Sequence, residues 1–224
     1  MLLDLTGHLL ETSFKGSYLE GEIFMIEQKF EKILNIKTEG YQYGYPKDAM
    51  YHRYEPTPYN ALEQLFEVYQ LPEKAQVVDF GCGKGRVPIY LHWKFKVTTV
   101  GVEMDPKFFV EAEQNLLTYR ENLKKRIIPI TFEHLIAENY SIQPQQNVFF
   151  FFNPFSVHIF RQVVANILAS YEQFPRMIDL VLYYPSPDYL YYLTFETPFD
   201  NVMDVQLHGY NNENERFCIY RIFG

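Results

Sequence analysis

The sequence of 224 residues predicts an α/β fold with an open, mostly parallel sheet of seven strands. Three observations lead to this prediction. Short apolar runs alternate with helical patterns from residue 75 onward, as expected where right-handed crossovers join parallel strands. The first run leads into a glycine-rich turn, VVDFGCGKGR, at residues 77–86. Near the end of the chain, Val202–His208 and Arg216–Phe223 flank the polar sequence GYNNEN, which is typical of an antiparallel hairpin.

The predicted elements follow one another along the chain. Apolar residues at three- and four-residue steps predict a helix over Tyr18–Lys37, and tyrosines interleaved with glycine and proline predict a loop over residues 39–58. A second helix is predicted over Tyr59–Tyr69. The later strands are predicted at Ala75–Phe80, Val97–Glu103, Ile127–Phe132, Asn147–Phe152 and Met177–Tyr184, and the later helices at Lys84–Phe95, Asp105–Asn122, Val157–Phe174 and Asp188–Thr194. We therefore divide the chain into an N-terminal helical and loop extension, residues 1–58, expected to act as a lid, and a main domain, residues 59–224.

Composition narrows the classes of partner. The net charge of −8 disfavours nucleic acid without excluding it, because clustered Lys and Arg carry most of that affinity. Cys82 and Cys218 give no disulfide framework, and the six histidines form no pair at zinc-ligand spacing, so we expect no metal. The sequence has no signal-peptide pattern and no apolar run of membrane-spanning length, so we expect a cytoplasmic protein without membrane contact.

The glycine turn is compatible with more than one ligand. In the dinucleotide fingerprint G-x-G-x-x-G, counting from Gly81 places Arg86 where a third small residue is required, which argues against a dinucleotide. Glu103 ends the second predicted strand, at a spacing that suits hydrogen bonds to ribose hydroxyls. Asn153 follows the fourth predicted strand and is expected beside the turn, because the carboxyl ends of neighbouring strands form the ligand crevice.

With these motifs in place, the chain resembles the class I, Rossmann-like S-adenosylmethionine-dependent methyltransferases over about residues 50–222. VVDFGCGKGR is similar to the first motif of that family, VTTVGVE to its second and FFNPF to its fourth. The segment Arg53–Pro58 resembles an upstream cofactor-binding segment of some members, and the terminal hairpin matches the antiparallel end of the family's sheet. The resemblance implies S-adenosyl-L-methionine as cofactor and residues 59–224 as the methyltransferase domain.

The resemblance also implies two sets of site residues. The Asn153 side chain and the Pro154 carbonyl would accept hydrogen bonds from the target N–H, and Phe155 would be the platform on which the acceptor stacks. The NPF sequence has one proline, whereas the family motif [DN]-P-P-[YF] has two. The residues expected to bind the cofactor are Tyr54, Thr57, Asp79, Gly81, Cys82, Gly83, Glu103, Met104, Ile136 and Ala137.

The expected function is methyl transfer to an amine nitrogen of a protein or small molecule. The NPF sequence supports this choice because it resembles, distantly, the N-x-F sequence of lysine methyltransferases. One alternative is a non-catalytic S-adenosylmethionine-binding regulatory module, which would keep the glycines and Glu103 without needing Asn153. A nicotinamide-dependent oxidoreductase is the other, and both Arg86 and the hairpin argue against it.

Overall fold

The computed structural model of the chain describes residues 21, 24–40, 50–125, 127–210 and 212–224. The start of the predicted N-terminal helix and the tyrosines at 41, 43 and 45 lie outside these residues. No helix within the described ranges is long and apolar enough to cross a membrane. Their His, Cys, Asp and Glu side chains form no group of three that could hold a metal ion.

Seven strands form one sheet, which confirms the predicted fold class. In chain order they are β1 (Gln76–Phe80), β2 (Thr98–Glu103), β3 (Ile130–His134), β4 (Val148–Phe152), β5 (Ile178–Tyr183), β6 (Asp200–Gln206) and β7 (Arg216–Ile222). Their spatial order is β3-β2-β1-β4-β5-β7-β6, and β7 runs antiparallel to both of its neighbours. The strand order reverses between β1 and β4, the position at which open α/β sheets bind ligands.

Helices cover both faces of the sheet. They are α1 (residues 24–34), α2 (Tyr59–Val68), α3 (Arg86–Phe95), α4 (Pro106–Leu123), α5 (Val157–Gln173) and α6 (Pro187–Glu196). The first four contribute to one buried cluster and the last two to the cluster on the opposite face. The predicted start of α4 is confirmed, since the Asp105 carboxylate accepts from the backbone N–H of Lys107 at 2.8 Å and Pro106 occupies the first turn.

Strand β3 differs from the prediction, beginning at Ile130 instead of Ile127 and ending at His134. Pro129 has no N–H to donate to a ladder, and its carbonyl accepts from Thr99 N at 2.9 Å. At the far end, Glu133 and His134 are exposed. Because β3 is an edge strand, these polar side chains reach water and the strand continues beyond its apolar run.

Helix α1 is part of the main core. Its Phe30 and Leu34, and Ile36 just after it, are buried in the same cluster as β1 and α3. The Phe30 ring stacks on Tyr59 of α2 with centroids 4.8 Å apart. Residues 24–36 are therefore packed into the body of the domain, because burial of such large apolar side chains favours a fixed position.

The segment 50–58 lies over the carboxyl edge of the sheet. Tyr51 forms an antiparallel bridge with Phe155, and the Met50 carbonyl accepts from Ser156 N at 2.7 Å. Further along, the Tyr54 ring lies against the glycine turn. The segment thus connects the end of β4 to the end of β1.

Candidate functional site

The glycine turn after β1 needs its glycines for both conformation and space. Gly81, Gly83 and Gly85 all have left-handed backbone, with φ of 75°, 53° and 83°. A Cβ on Gly81 would lie 2.6 Å from the Pro154 Cβ, and one on Gly83 would lie 2.1 Å from Cε2 of Tyr54. The turn is therefore enclosed between the NPF sequence on one side and the segment 50–58 on the other.

Cys82 lies within the turn and is buried. Its backbone N–H and that of Gly81 both donate to the Val102 carbonyl, at 3.1 and 2.9 Å, so β2 fixes the turn. Burial raises the pKa of the Cys82 thiol, which is therefore neutral at physiological pH.

Glu103 ends β2 with its carboxylate held by the backbone. One oxygen accepts from Gly83 N and the other from Asp105 N, each at 2.8 Å, and the residue is 8% exposed. Burial raises the pKa of this carboxyl, while the two N–H groups lower it. Since a carboxylate has about four lone-pair positions, Glu103 retains acceptor capacity for two hydroxyl groups.

A second acid, Asp79, is buried one strand away. It is 4% exposed, and its pKa is raised first by burial and then by the Glu103 carboxylate. Because the Glu103 carboxylate makes ionisation of Asp79 less favourable, a positively charged ligand at this position would stabilise the ionised acids. This pair therefore favours a cationic ligand at the carboxyl ends of β1 and β2.

Asn153, directly after β4, has an unused acceptor. Its side-chain Oδ1 is buried and has no hydrogen-bond partner among the described residues. Its backbone is left-handed, with φ of 38°, and its carbonyl lies 2.6 Å from Nδ1 of His52. A carbonyl can only accept, so this His52 nitrogen carries the proton. An unsatisfied buried oxygen calls for a ligand that donates a hydrogen bond.

The two residues after Asn153 do not have the surroundings expected from the sequence. The Pro154 carbonyl, expected to accept from the target N–H, already accepts from His52 N at 3.0 Å, so one of its two acceptor positions is occupied. Phe155 is 1% exposed and meets the Tyr51 ring edge-on, with centroids 6.3 Å apart. The Tyr189 hydroxyl donates to the Phe155 carbonyl. With its ring in the core, Phe155 offers no open face for an acceptor, which contradicts the platform prediction.

In the segment 50–58, Tyr54 and Thr57 both make contacts with the body of the domain. The Tyr54 hydroxyl donates to the Thr38 carbonyl at 2.6 Å, and its ring lies 4.6 Å from that of Phe108. Thr57 is buried, and its carbonyl accepts from Arg86 at 3.0 Å. The part of Tyr54 that faces the glycine turn is therefore its ring.

The remaining candidate residues lie at the ends of β2 and β3. The Met104 carbonyl lies 3.1 Å from Nε2 of His134. Ile136 is 39% exposed, and Ala137 is buried at the start of a short 3-10 helix, Ala137–Asn139. These residues share the carboxyl edge with Glu103, where a flat apolar group could rest on Ile136.

Arg86 is the residue whose role sequence reasoning missed. It is 2% exposed, and its guanidinium pairs with Glu27 and lies 3.4 Å from Glu31, both on α1. It also donates to Thr38 Oγ1 at 2.6 Å and lies over the Tyr59 ring at 4.2 Å. The arginine that breaks the dinucleotide pattern thus joins the glycine turn to α1. The sequence offered one signal for this role, the acids Glu27 and Glu31, which lie four residues apart on a predicted helix.

An open sheet whose order reverses beside a glycine turn defines a doubly wound, Rossmann-like α/β protein. Comparison with solved structures narrows this class, although no protein-family model and no curated protein sequence matches the chain. The chain is similar to an RNA methyltransferase from Salinibacter ruber in complex with S-adenosyl-L-homocysteine, at 20% identity over 75% of this chain and 92% of that chain, with a TM-score of 0.52.

Two further solved structures are similar to the chain. The human methyltransferase 10 domain containing protein is 12% identical over 92% of this chain and 97% of that chain, with a TM-score of 0.59. An rRNA methylase from Streptococcus thermophilus is 16% identical over 75% and 96%, with a TM-score of 0.50. The chain therefore has the fold of the class I S-adenosylmethionine-dependent methyltransferases. At these identities the likeness concerns the fold.

Proposed function

We propose that the chain is an S-adenosylmethionine-dependent methyltransferase that acts on an amine nitrogen of a protein or small molecule. The observation that carries this proposal is the buried, unpartnered Oδ1 of Asn153 at the end of β4. It lies one strand away from the glycine turn and across from Glu103, in a methyltransferase fold. An amine that donates to this oxygen would place its nitrogen beside the cofactor cleft.

The residues at the cleft fit the cofactor. S-adenosyl-L-methionine supplies a methyl group on a positively charged sulfur, and the buried acids Asp79 and Glu103 favour a ligand of that charge. Glu103 would accept from the ribose hydroxyls, and the backbone of Gly81 to Gly83 would face the methionine part. The ring of Tyr54 and the buried Thr57 would cover the site. Met104, Ile136 and Ala137 would line the adenine end.

In this proposal, the main role of the protein in the reaction is to orient the methyl acceptor. Because the methyl group is already activated, alignment of the nitrogen lone pair is the main requirement, and orientation of this kind contributes about 7–11 kcal/mol. The imidazole and backbone N–H of His52 bond the Asn153 and Pro154 carbonyls, so the Asn153 side chain projects from a fixed backbone. A fixed acceptor oxygen costs no reorganisation during the reaction.

RNA is the competing acceptor. Two of the similar structures carry RNA or rRNA in their names. The net charge of −8 favours an amine of a protein or small molecule, because a phosphate backbone would be repelled.

A non-catalytic S-adenosylmethionine-binding module is a second candidate. The burial of Phe155 favours it, because the aromatic platform of the family motif is not open. Such a module would bind S-adenosylhomocysteine and transfer no methyl group to any acceptor. Binding together with turnover would exclude it.

Replacement of Glu103 by Ala should weaken S-adenosylhomocysteine binding by about 1.5–3 kcal/mol, because hydrogen bonds to a charged acceptor are lost. Isothermal calorimetry measures the change. The control is Glu121→Ala, which removes an exposed acid on α4 and should leave the affinity unaltered. Equal affinity of the Glu103 variant and the parent protein would contradict the ribose role.

A further inference from the structure

Two neighbouring strands leave the sheet through left-handed residues that are not glycine. Phe152 pairs with Tyr183, so Asn153 and Tyr184 directly follow the last paired residues of two adjacent parallel strands. Their φ values are 38° and 49°. Asparagine tolerates this region, but in a bulky residue such as tyrosine it is an outlier. Strain of this kind clusters at functional sites.

The terminal hairpin fixes Tyr184. Its backbone N–H donates to the Arg216 carbonyl at 3.0 Å, and its hydroxyl accepts from the Asn212 side chain at 2.7 Å. The residue is only partly buried. In contrast to Phe155, Tyr184 is therefore an aromatic residue whose hydroxyl is held by the hairpin and whose side chain keeps some accessible surface.

One carboxyl group lies at the same edge of the sheet as this tyrosine. Glu215 directly precedes Arg216, whose carbonyl accepts from Tyr184 N, and the Glu215 carboxylate accepts from the hydroxyl of Tyr183. Burial raises the pKa of Glu215. Within the described part of the chain, this carboxylate forms no salt bridge. Glu215 is therefore an acid without a cationic partner among these residues, next to the aromatic pair Tyr183 and Tyr184.

We propose that Tyr184 and Glu215 form the acceptor subsite beside Asn153, and that this subsite takes an aliphatic amine that is cationic in solution. The inference rests on the proposed function and extends it to a substrate class. Carboxylates and aromatic faces both attract cations, whereas they repel the phosphates that accompany an RNA base. A lysine side chain and a polyamine share this chemistry.

The transfer balances with this acceptor. The ammonium group releases one proton to solvent, and its nitrogen lone pair then forms the bond to the methyl carbon. The carbon–sulfur bond breaks with its electron pair remaining on sulfur, which becomes a neutral thioether. Asn153 Oδ1 accepts from an N–H that stays on the nitrogen. The product is a methylated ammonium ion.

Binding is tested first, on full-length protein saturated with S-adenosylhomocysteine. Calorimetric titrations use spermidine, a short lysine-containing peptide and an adenine-containing oligoribonucleotide. We expect one of the two amines to bind, which also identifies the source of the amine, and we expect the oligoribonucleotide not to bind. Binding of the oligoribonucleotide alone would overturn the inference and leave the proposed function standing. Failure of S-adenosylhomocysteine itself to bind would overturn both.

Variants then test the named residues with the amine that binds. Glu215→Gln should raise its dissociation constant and its KM about tenfold, equivalent to 1.4 kcal/mol, while kcat changes less than twofold. Tyr184→Ala should have at least that effect on KM, and S-adenosylhomocysteine affinity should be unchanged in both variants. The control Glu172→Gln, at an exposed position on α5, should match the parent protein. An unaltered KM in the Glu215 and Tyr184 variants would refute the subsite.

Discussion

Replacement of Asn153 by Ala is expected to lower kcat for methyl transfer by about 100- to 1,000-fold, the loss found when one preorganised polar group at a reacting centre is removed. The reason is that its Oδ1 is buried without a partner and is free to orient an acceptor N–H. Affinity for S-adenosylhomocysteine should change less than threefold, because the role proposed for Asn153 is to orient the acceptor and not the cofactor. Single-turnover kinetics and calorimetry measure the two quantities separately.

Backbone strain could obscure this result, so two further variants accompany it. Alanine is strained at the φ of 38° that Asn153 adopts, whereas glycine is not. Asn153→Gly should therefore be as inactive as Asn153→Ala but more stable, and Asn153→Asp should retain part of the activity because it keeps an acceptor oxygen. Asn201→Ala, at an exposed position on β6, is the control. Full turnover by Asn153→Gly would show that the Asn153 side chain has no role in methyl transfer.

Replacement of Arg86 by Met should lower the free energy of unfolding by about 3–5 kcal/mol, the usual result when one partner of a buried ion pair is removed. Arg86 is 2% exposed, and its loss leaves the acids Glu27 and Glu31 buried without their cation. The bond to Thr38, whose carbonyl holds Tyr54 over Gly83, would be lost as well. Urea unfolding followed by circular dichroism gives the value.

Arg161→Met provides the matched control, because Arg161 pairs with Glu196 at the surface and its loss should cost at most about 1 kcal/mol. Adding Glu27→Gln and Glu31→Gln to the Arg86 variant should restore part of the stability, since the amides carry no charge but still accept from Tyr59 N and Thr38 N. Equal destabilisation by the Arg86 and Arg161 changes would show that α1 is not held through this cluster.

Local patterns in the sequence predicted the architecture well. The glycine turn, the proline after Asp105 and the terminal hairpin each depend on contacts between residues that are close in sequence. Their amino-acid types therefore predict their structure. Apolar runs also predicted β1, β2, β4 and β5 to within one or two residues. The shift of β3 arose because its end is decided by exposure at the sheet edge, which periodicity does not report.

The site was predicted in part. The sequence placed Glu103 and Asn153 correctly at the ends of β2 and β4. It could not show that Phe155 is buried, because that depends on Tyr51, more than one hundred residues earlier in the chain. Tyr184 went unnoticed for a related reason: its left-handed backbone and its place beside Asn153 come from strand register.

The central claim, an S-adenosylmethionine site at the glycine turn, is tested most directly by calorimetric titration of the full-length protein with S-adenosylhomocysteine and, separately, with NAD. The buried acids, the left-handed glycines and Arg86 in place of a third small residue predict one saturable site for S-adenosylhomocysteine and no heat from NAD. Saturable binding of NAD together with no binding of S-adenosylhomocysteine would contradict the account.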